Sequence, residues 1–445
     1  MATWIKNPLR VWTGTAENAD GGIVVAGDTI VELVSAGQAP TTPYENSFNA
    51  DKLLLLPGLV NCHHHFYQTL TRACPPALNK GLFAWLRALY PLWAKLDQEA
   101  IAVSTELALA ELMLSGCSLV CDHHYVFSES LDNAIDIQLE LVERFGVRAV
   151  LTRGSMSLGT ASGGLPPEAV VQSDDTILQD SERLLKKVAQ QTLAQLALAP
   201  CSPFSVSSEL MRESAALARE YGALLHTHLA ETEDENQFCL QRFNLRPLDY
   251  LETVGWLNAD VWLAHGIHFN HDEIQRLGEA GLGICHCPSS NMLLGSGICP
   301  VLALEEAGVA IGLGVDGSAS NDASNMLQEL RQAFLLQRLH SGAEQVSHEQ
   351  VLSWATSGGA RVLNQHAHTG RIAVGMKADL ALFELDALRF SGAGDPLAAL
   401  LLCGAHQVKH LMVNGAWRVL DGDIPGLDLE QLKWRHAAAA KKLLA

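Results

Sequence analysis

Histidines and acidic residues end several apolar segments of this sequence, at positions where they could bind a metal ion. His63 and His65 are two residues apart, so in a strand their side chains leave the same face. Alone, such a pair fits hydrogen-bonded core histidines equally well. His228 and Asp316 end two further segments and complete a donor set that suits Zn²⁺ and would also accept Fe²⁺. We therefore predict one metal ion per subunit, bound by these four residues.

Three ionisable residues could act on a water molecule activated by that metal. Glu231 lies three residues after His228, where its carboxylate could take a proton from the water and pass it to a leaving amine. His265 ends the next apolar segment and is a candidate electrophile beside the attacked carbon. Asp316 could also accept a proton from the water. We interpret the acidic residues that follow as a solvated face: Glu233, Asp234 and Glu235.

Eight apolar, strand-like segments separated by helical patterns must position these residues. Continuous apolar strands that alternate with helices imply a parallel sheet covered on both faces. Eight such units predict an α/β fold with a (β/α)8 TIM barrel, in which catalytic groups lie at the C-terminal strand ends. A doubly wound open sheet is the alternative, although no G-x-G-x-x-G follows the first strand. The segments are Leu53–His65, Ser118–His124, Arg148–Gly154, Leu193–Ser202, Ala223–Glu231, Val261–His268, Leu282–Pro288 and Val309–Gly317.

The two ends of the chain share a different texture, with short strands and tight turns. Gly27-Asp28 joins two short apolar runs near the N-terminus, and Asn414-Gly415 joins two more near the C-terminus. Such dipeptides are typical of hairpins. We predict that residues 1–55 and 370–445 form one small β-sandwich domain in two pieces, and that residues 56–369 form the barrel.

Charge and cysteine content exclude several classes of partner. The net charge is −19, which repels nucleic acid and anionic membranes, so we expect neither as a partner. The apolar runs are shorter than the ~18 residues that a membrane span needs, and we expect no secretory signal. The ten cysteines form no C-x-x-C pair, and we interpret them, Cys285 and Cys287 included, as buried thiols of a cytoplasmic protein.

The motifs PGLVNCHHH, HTHLAE, LAHG and GVDG, in this order and spacing, resemble the amidohydrolase superfamily. They are similar to its mononuclear branch, which includes guanine deaminase, adenosine-type deaminases and triazine hydrolases. The resemblance covers essentially the whole chain, including GRIAVGMKADLALFELD at 370–386. It implies metal ligation by the four residues named above, a proton shuttle at Glu231 and a polarising role for His265.

Further segments resemble the purine-base deaminases of that branch and imply that 8-oxoguanine and water give urate and ammonia, with attack at C2. Guanine deaminases carry an Arg-Phe pair after the fourth strand, where this chain has Pro200-Cys201-Ser202-Pro203, which argues against plain guanine as the main substrate. The segments are HHHFYQTLTRA (63–73), TRGSMSLG (152–159), LAPCSPFSV (198–206), CHCPSSNM (285–292) and LGVDGSASND (313–322).

Three residues are candidates for binding a purine-like base. Gln68 matches the family position whose amide reads the base edge with a paired donor and acceptor. Trp85 matches a pocket-lining position, and ordinary helix packing is the alternative. Arg153 could donate to a purine oxygen, with a structural ion pair as the alternative.

Two other functions use the same scaffold. A triazine hydrolase would release chloride or an alkylamine from a ring carbon with the same metal. A non-catalytic assembly protein would have lost metal ligands, whereas every ligand position is filled here. The resemblance also implies a homodimer.

Overall fold

A computed structural model describes residues 1–128 and 131–445, and its central feature is a parallel sheet of eight strands in the order β7 to β14. The first and last strands meet, because Cys62 N donates to Leu313 O at 2.8 Å. Helices surround the sheet, which confirms the predicted (β/α)8 barrel. The strands are β1 (Ala2–Lys6), β2 (Arg10–Val11), β3 (Gly22–Ala26), β4 (Thr29–Val34), β5 (Asn46–Asn49), β6 (Leu53–Pro57), β7 (Leu59–Asn61), β8 (Cys117–His124), β9 (Arg148–Ser155), β10 (Ala194–Pro200), β11 (Leu225–Leu229), β12 (Val261–His265), β13 (Gly283–His286), β14 (Ala310–Leu313), β15 (Leu380–Glu384), β16 (His410–Val413) and β17 (Ala416–Val419).

Side-chain caps begin many of the helices between these strands. Asp97, Ser173 and Ser207 each accept a backbone hydrogen bond at a helix start, and Asn270 forms a capping box with Glu273. The helices are α1 (Leu82–Trp93), α2 (Gln98–Leu114), α3 (Ala134–Phe145), α4 (Asp174–Val188), α5 (Ser208–Glu220), α6 (Glu233–Phe243), α7 (Pro247–Thr253), α8 (His271–Ala280), α9 (Pro288–Leu293), α10 (Val301–Glu306), α11 (Met326–Ser341), α12 (His348–Ser353), α13 (Gly359–Val362), α14 (Pro396–Leu402) and α15 (Leu429–Leu444).

The first predicted strand, Leu53–His65, is two strands in two different sheets. β6 pairs with β15 and β2, whereas β7 pairs with β8 in the barrel. Gly58 separates them, and a Cβ there would lie 2.2 Å from Ser118 Oγ. The chain changes sheets at Gly58 because only glycine allows this close approach to β8. The predicted boundary between residues 55 and 56 therefore falls inside β6.

Two smaller sheets pack face to face beside the barrel. One has the strand order β4-β3-β1-β5 and the other β17-β16-β15-β6-β2. Apolar side chains from both sheets share one buried cluster, which includes Ile5, Ile23, Leu55, Leu380 and Met412. Strands from both chain ends thus build the predicted β-sandwich.

The last helix packs on the barrel rather than on the sandwich. α15 lies against α2, with Leu432 and Leu443 buried. His436 Nε2 lies 3.0 Å from Thr69 Oγ1, in the 3₁₀ turn that follows β7. The C-terminal segment therefore contributes to both parts of the molecule.

The predicted burial of the thiols is confirmed for nine of the ten cysteines. The ten cysteines are unpaired and nine are buried, among them Cys285 and Cys287, which lie in the barrel interior. Within residues 1–128 and 131–445, no helix combines the length and the apolar composition needed to cross a membrane.

Candidate metal centre and active site

Three histidines and one aspartate converge at the C-terminal end of the barrel. His65 Nε2 lies 3.2 Å from His228 Nε2. Asp316 Oδ1 lies 3.3 Å from His63 Nε2 and also 3.3 Å from His65 Nε2. These are the four predicted ligands, and they come from the ends of three strands, β7, β11 and β14. The barrel closure between β7 and β14 brings Asp316 beside the two histidines, since Asp316 N donates to His63 O at 3.1 Å.

Two of these imidazoles have their tautomer fixed by a backbone carbonyl. His65 Nδ1 lies 2.7 Å from His123 O, and His228 Nδ1 lies 2.6 Å from Cys201 O. A carbonyl oxygen only accepts, so each Nδ1 carries the hydrogen and each Nε2 has a free lone pair. The two lone pairs face each other.

The third imidazole is oriented through a second histidine. His226 Nδ1 donates to Trp262 O at 2.9 Å, so His226 Nε2 is an acceptor. It accepts from His63 Nδ1 at 2.8 Å, which leaves the lone pair of His63 Nε2 pointing at Asp316. Ligating histidines are commonly oriented in this way by a partner on the other ring nitrogen.

This donor set fits a divalent metal ion. Lone pairs that face each other repel unless a cation lies between them. Ligands about 2.1 Å from a tetrahedral ion are about 3.4 Å from one another, close to the 3.2 and 3.3 Å distances here. Burial lowers the pKa of His63 and of His228, so both are neutral, as metal ligation requires.

Glu231 and His265 lie beside this cluster. Glu231 Oε2 is 3.5 Å from His265 Nε2, which is 4.0 Å from Asp316 Oδ2. His265 Nδ1 lies 3.0 Å from Asn291 Oδ1, which orients the ring. Burial and the negative charge of Asp316 raise the pKa of Glu231 well above its usual value, so this carboxyl group can hold a proton near neutral pH.

Backbone strain is concentrated at the same place. Ala230, His265 and Asp316 have φ angles of 54°, 72° and 60°, a region that residues other than glycine seldom adopt. Each such residue costs of order 1–3 kcal/mol and persists only where the surrounding structure holds it. Strain at three strand ends is typical of a site whose side chains must point in defined directions.

The cluster borders a cavity at the mouth of the barrel. Gln68 lines the cavity, and neither its amide oxygen nor its amide nitrogen has a hydrogen-bond partner among residues 1–128 and 131–445. A Cβ on Gly317 would lie 1.9 Å from Gln68 Oε1, so a larger residue there would displace the Gln68 amide. Trp85 also lines the cavity, and its Nε1 donates to Ala319 O at 3.2 Å.

The sequence model of the amidohydrolase family matches residues 54–418, which contain every residue of this cluster. The chain belongs to the amidohydrolase family. The eight-stranded barrel, the two-piece sandwich and the histidine cluster at the strand ends are thus features of one known family.

This amidohydrolase is similar in sequence to curated proteins over most or all of its length. It is 59% identical over 446 residues to an 8-oxoguanine deaminase of Pseudomonas aeruginosa, covering 100% of this chain and 99% of that protein. It is 38% identical over 397 residues to a hydroxydechloroatrazine ethylaminohydrolase of Pseudomonas sp., covering 86% and 82%.

Solved structures with the same fold contain zinc. Atrazine chlorohydrolase from Arthrobacter aurescens, complexed with zinc, has a TM-score of 0.91 and 28% identity, covering 98% of this chain and 100% of that chain. An adenosine deaminase from Xanthomonas campestris with bound zinc has a TM-score of 0.88 and 25% identity, covering 99% and 98%. Together with the buried donor set, these relatives indicate a divalent metal in this amidohydrolase.

Arg153 is not brought to the cavity, contrary to the prediction that it binds the substrate. Val150 lies in the barrel interior, so alternation along β9 sends Leu151 and Arg153 to the helix layer. There Arg153, 1% exposed, donates to Asp180 Oδ2 at 2.7 Å. Gln172 accepts a second bond at 2.8 Å. The alternative, a structural ion pair, describes Arg153.

The predicted solvated face is wrong for Glu235, which is 0% exposed. Its two carboxylate oxygens accept from Ala230 N at 2.9 Å and from Glu231 N at 3.0 Å. The side chain enters the barrel mouth from the first turn of α6 and holds the strained Ala230–Glu231 segment. Burial raises the pKa of Glu235 to about 7.

The sequence did not single out His123, His226 or Asn291. His123 lies within possible ligand distance of the three metal-facing histidines, and it stacks on His228 at 4.8 Å between ring centroids. The two-residue spacing of His226 and His228 was a signal that could have found His226, because both face the barrel interior. Asn291 carries no such pattern.

Proposed function

We propose that this amidohydrolase is a zinc-dependent deaminase that converts 8-oxoguanine and water to urate and ammonia. The observation that carries the proposal is the 59% identity, over the full length of both chains, to an 8-oxoguanine deaminase. The four-residue donor cluster and the cavity above it support the same chemistry.

His63, His65, His228 and Asp316 would hold the zinc ion. The three neutral nitrogens and one carboxylate are the mixed donors that zinc accepts in catalytic sites, and the zinc-containing structures with this fold support zinc over iron. When bound, zinc supplies a Lewis acid that makes water a nucleophile near neutral pH.

The other residues move protons and orient the base. Glu231 accepts a proton from the attacking water, with Asp316 assisting, and delivers it to the amine nitrogen that leaves C2. The Glu231 carboxylate is buried beside the cluster, where it can take the proton in one step and return it in the next. His265, oriented by Asn291, stabilises the charge that develops as the ring carbon is attacked.

Gln68 and Trp85 would bind the base. The unpartnered amide of Gln68 offers one donor and one acceptor inside the cavity, which matches an edge of a purine that carries both. Trp85 adds an indole whose N–H is already bonded to the protein. The Trp85 indole would therefore contact the base through the flat face of its ring.

The proposal also covers the location of the enzyme in the cell and its oligomeric state. Ten unpaired cysteines support a reducing compartment, and we propose that the enzyme is cytoplasmic. The homodimer stays a prediction.

The decisive experiment measures ammonia release by the zinc-loaded protein with 8-oxoguanine and guanine side by side. We expect a strong preference for 8-oxoguanine. A halogenated triazine is the third substrate, because the zinc-containing atrazine chlorohydrolase has the same fold. Turnover of the triazine with no ammonia from either purine would replace the purine proposal by the triazine one. No turnover of any of the three would overturn both.

A further inference from the structure

The hydroxyl of Tyr90 is a polar group of the cavity that the proposed mechanism does not use. Tyr90 lies on α1, lines the cavity and is 1% exposed. Its hydroxyl has no hydrogen-bond partner in the described part of the chain. A buried hydroxyl without a partner destabilises the protein by about 1–3 kcal/mol, so its retention needs an explanation.

On the side of the cavity formed by α1, the Tyr90 hydroxyl is the polar atom that is free to bind a ligand. The helix lines the cavity with Leu82, Trp85, Leu86 and Tyr90. Two of these are aliphatic, and the indole N–H of Trp85 is bonded to Ala319 O. A ligand in the cavity that approaches α1 therefore meets a single uncommitted polar atom there.

The Tyr90 hydroxyl is a hydrogen-bond donor over the working pH range. Burial, with the nearby Cys201, Tyr67 and Glu231, raises the pKa of Tyr90 well above its usual value. The phenol stays neutral, so its O–H can donate a hydrogen bond to a carbonyl oxygen.

Gln68 lies next to the metal-facing cluster. Its amide packs on Gly317, and Gly317 N donates to Asp316 Oδ1 at 2.7 Å. The Gln68 amide thus serves the part of the base near the carbon that is attacked. In a purine, C2 and C8 lie at opposite ends of the fused rings, so attack at C2 leaves the C8 oxygen directed away from the cluster.

We propose, on the basis of the proposed function, that the Tyr90 hydroxyl donates a hydrogen bond to the C8 oxygen of 8-oxoguanine and thereby sets the preference over guanine. The two bases share all polar groups of the six-membered ring and differ only in the five-membered ring, at C8 and N7. Guanine lacks the acceptor at C8 and leaves the Tyr90 hydroxyl unpartnered, and sites built to bond a substrate group discriminate strongly against analogues that lack it.

The test is Tyr90→Phe, assayed with both bases. We expect kcat/KM for 8-oxoguanine to fall about 10–100-fold while kcat/KM for guanine stays within about threefold, so that the ratio of the two collapses. Inhibition constants of the products, urate with its C8 oxygen and xanthine without it, give the same ratio independently of turnover.

Thermal unfolding separates this role from a structural one. The substitution removes a buried hydroxyl without a partner, so the midpoint of the ligand-free protein should stay or rise. The control is Tyr250→Phe, because Tyr250 is equally buried and its hydroxyl lies 3.2 Å from Ser208 Oγ. That variant should lower the midpoint and leave the substrate ratio unchanged.

The outcomes distinguish the two proposals. If the wild-type protein turns over neither base, the proposed function fails. If the wild-type protein prefers 8-oxoguanine and Tyr90→Phe keeps that preference, or loses activity equally on both bases, the assignment of Tyr90 is overturned and the proposed function stands.

Discussion

Three imidazoles present the same ring nitrogen to one point because each has its other nitrogen bonded. His65 and His228 use backbone carbonyls for this, and His63 uses the ring of His226. The arrangement fixes ring rotation and protonation before any metal binds. Little reorganisation is then needed at the moment of metal binding, which favours affinity.

Substitution of Glu231 tests the proposed proton transfer directly. We expect Glu231→Gln to bind zinc as the wild-type protein does and to lose about 10²–10⁴-fold in kcat, because the amide cannot accept and return the proton. Metal analysis of the purified variant and an ammonia assay check both parts. A rate near that of the wild type would show that another group carries the proton.

Side-chain direction decided which single residues could be predicted. His63 and His65 follow from their two-residue spacing, and Asp316 from its place at the end of a buried strand. Arg153 also ends a strand, but its parity along β9 sends it outward to Asp180. The contacts of Asn291 depend on where α9 lies relative to β12, which no local pattern records.

Helix α6 contacts the site through its first turn. The carboxylate of Glu235 bonds two successive backbone N–H groups, Ala230 and Glu231, and so fixes the direction of the Glu231 side chain. An acidic run looks the same in sequence whether it faces solvent or a barrel mouth. The neighbouring Asp234 is exposed, as predicted for the whole run.

We expect Glu235→Gln to lower kcat about 10–100-fold with zinc content and KM little changed. The amide would place an NH₂ group against a backbone N–H, and Glu231 would move away from its working position. Kinetics and metal analysis check this. Asp234→Asn makes the same change of charge on the same helix and should leave kcat unaltered; equal losses in the two variants would count against a positioning role.

The number of barrel strands was predictable, but the sheet to which each part of the first segment belongs was not. Seven of the eight predicted segments each contain one barrel strand, since buried parallel strands are continuous apolar runs. The first run, however, serves two sheets, and the break at Gly58 arises from contact with Ser118. That contact joins parts of the chain that are distant in sequence, so it appears only when the fold is complete.

A buried ion pair joins the sandwich to the barrel. Arg148, at the start of β9, lies 3.1 Å from Asp379, the residue before β15. The Asp379 carboxylate also accepts from Asn414 N at 2.7 Å. The side-chain exposures are 8% and 0%, so neither charge is solvated by bulk water.

We expect Arg148→Met to lower the free energy of unfolding by about 3–5 kcal/mol, because it leaves the Asp379 carboxylate buried and unpaired. The double variant Arg148→Met with Asp379→Asn should be more stable than the single one. Denaturant unfolding measures both. Arg212→Met, which breaks the exposed pair with Glu209, should cost under about 1 kcal/mol. A double variant that is less stable than Arg148→Met would contradict this reading.

Ring closure between β7 and β14 also has a consequence for the order of events during synthesis. His63 and Asp316 are neighbours only because the first barrel strand meets the last, through bonds such as Cys62 N to Leu313 O. A nascent chain that has not yet emerged beyond Asp316 holds the histidines but lacks the carboxylate and the strand that aligns them. The full donor set therefore forms only after β14 has been synthesised and has paired with β7, and we expect metal binding to follow that step.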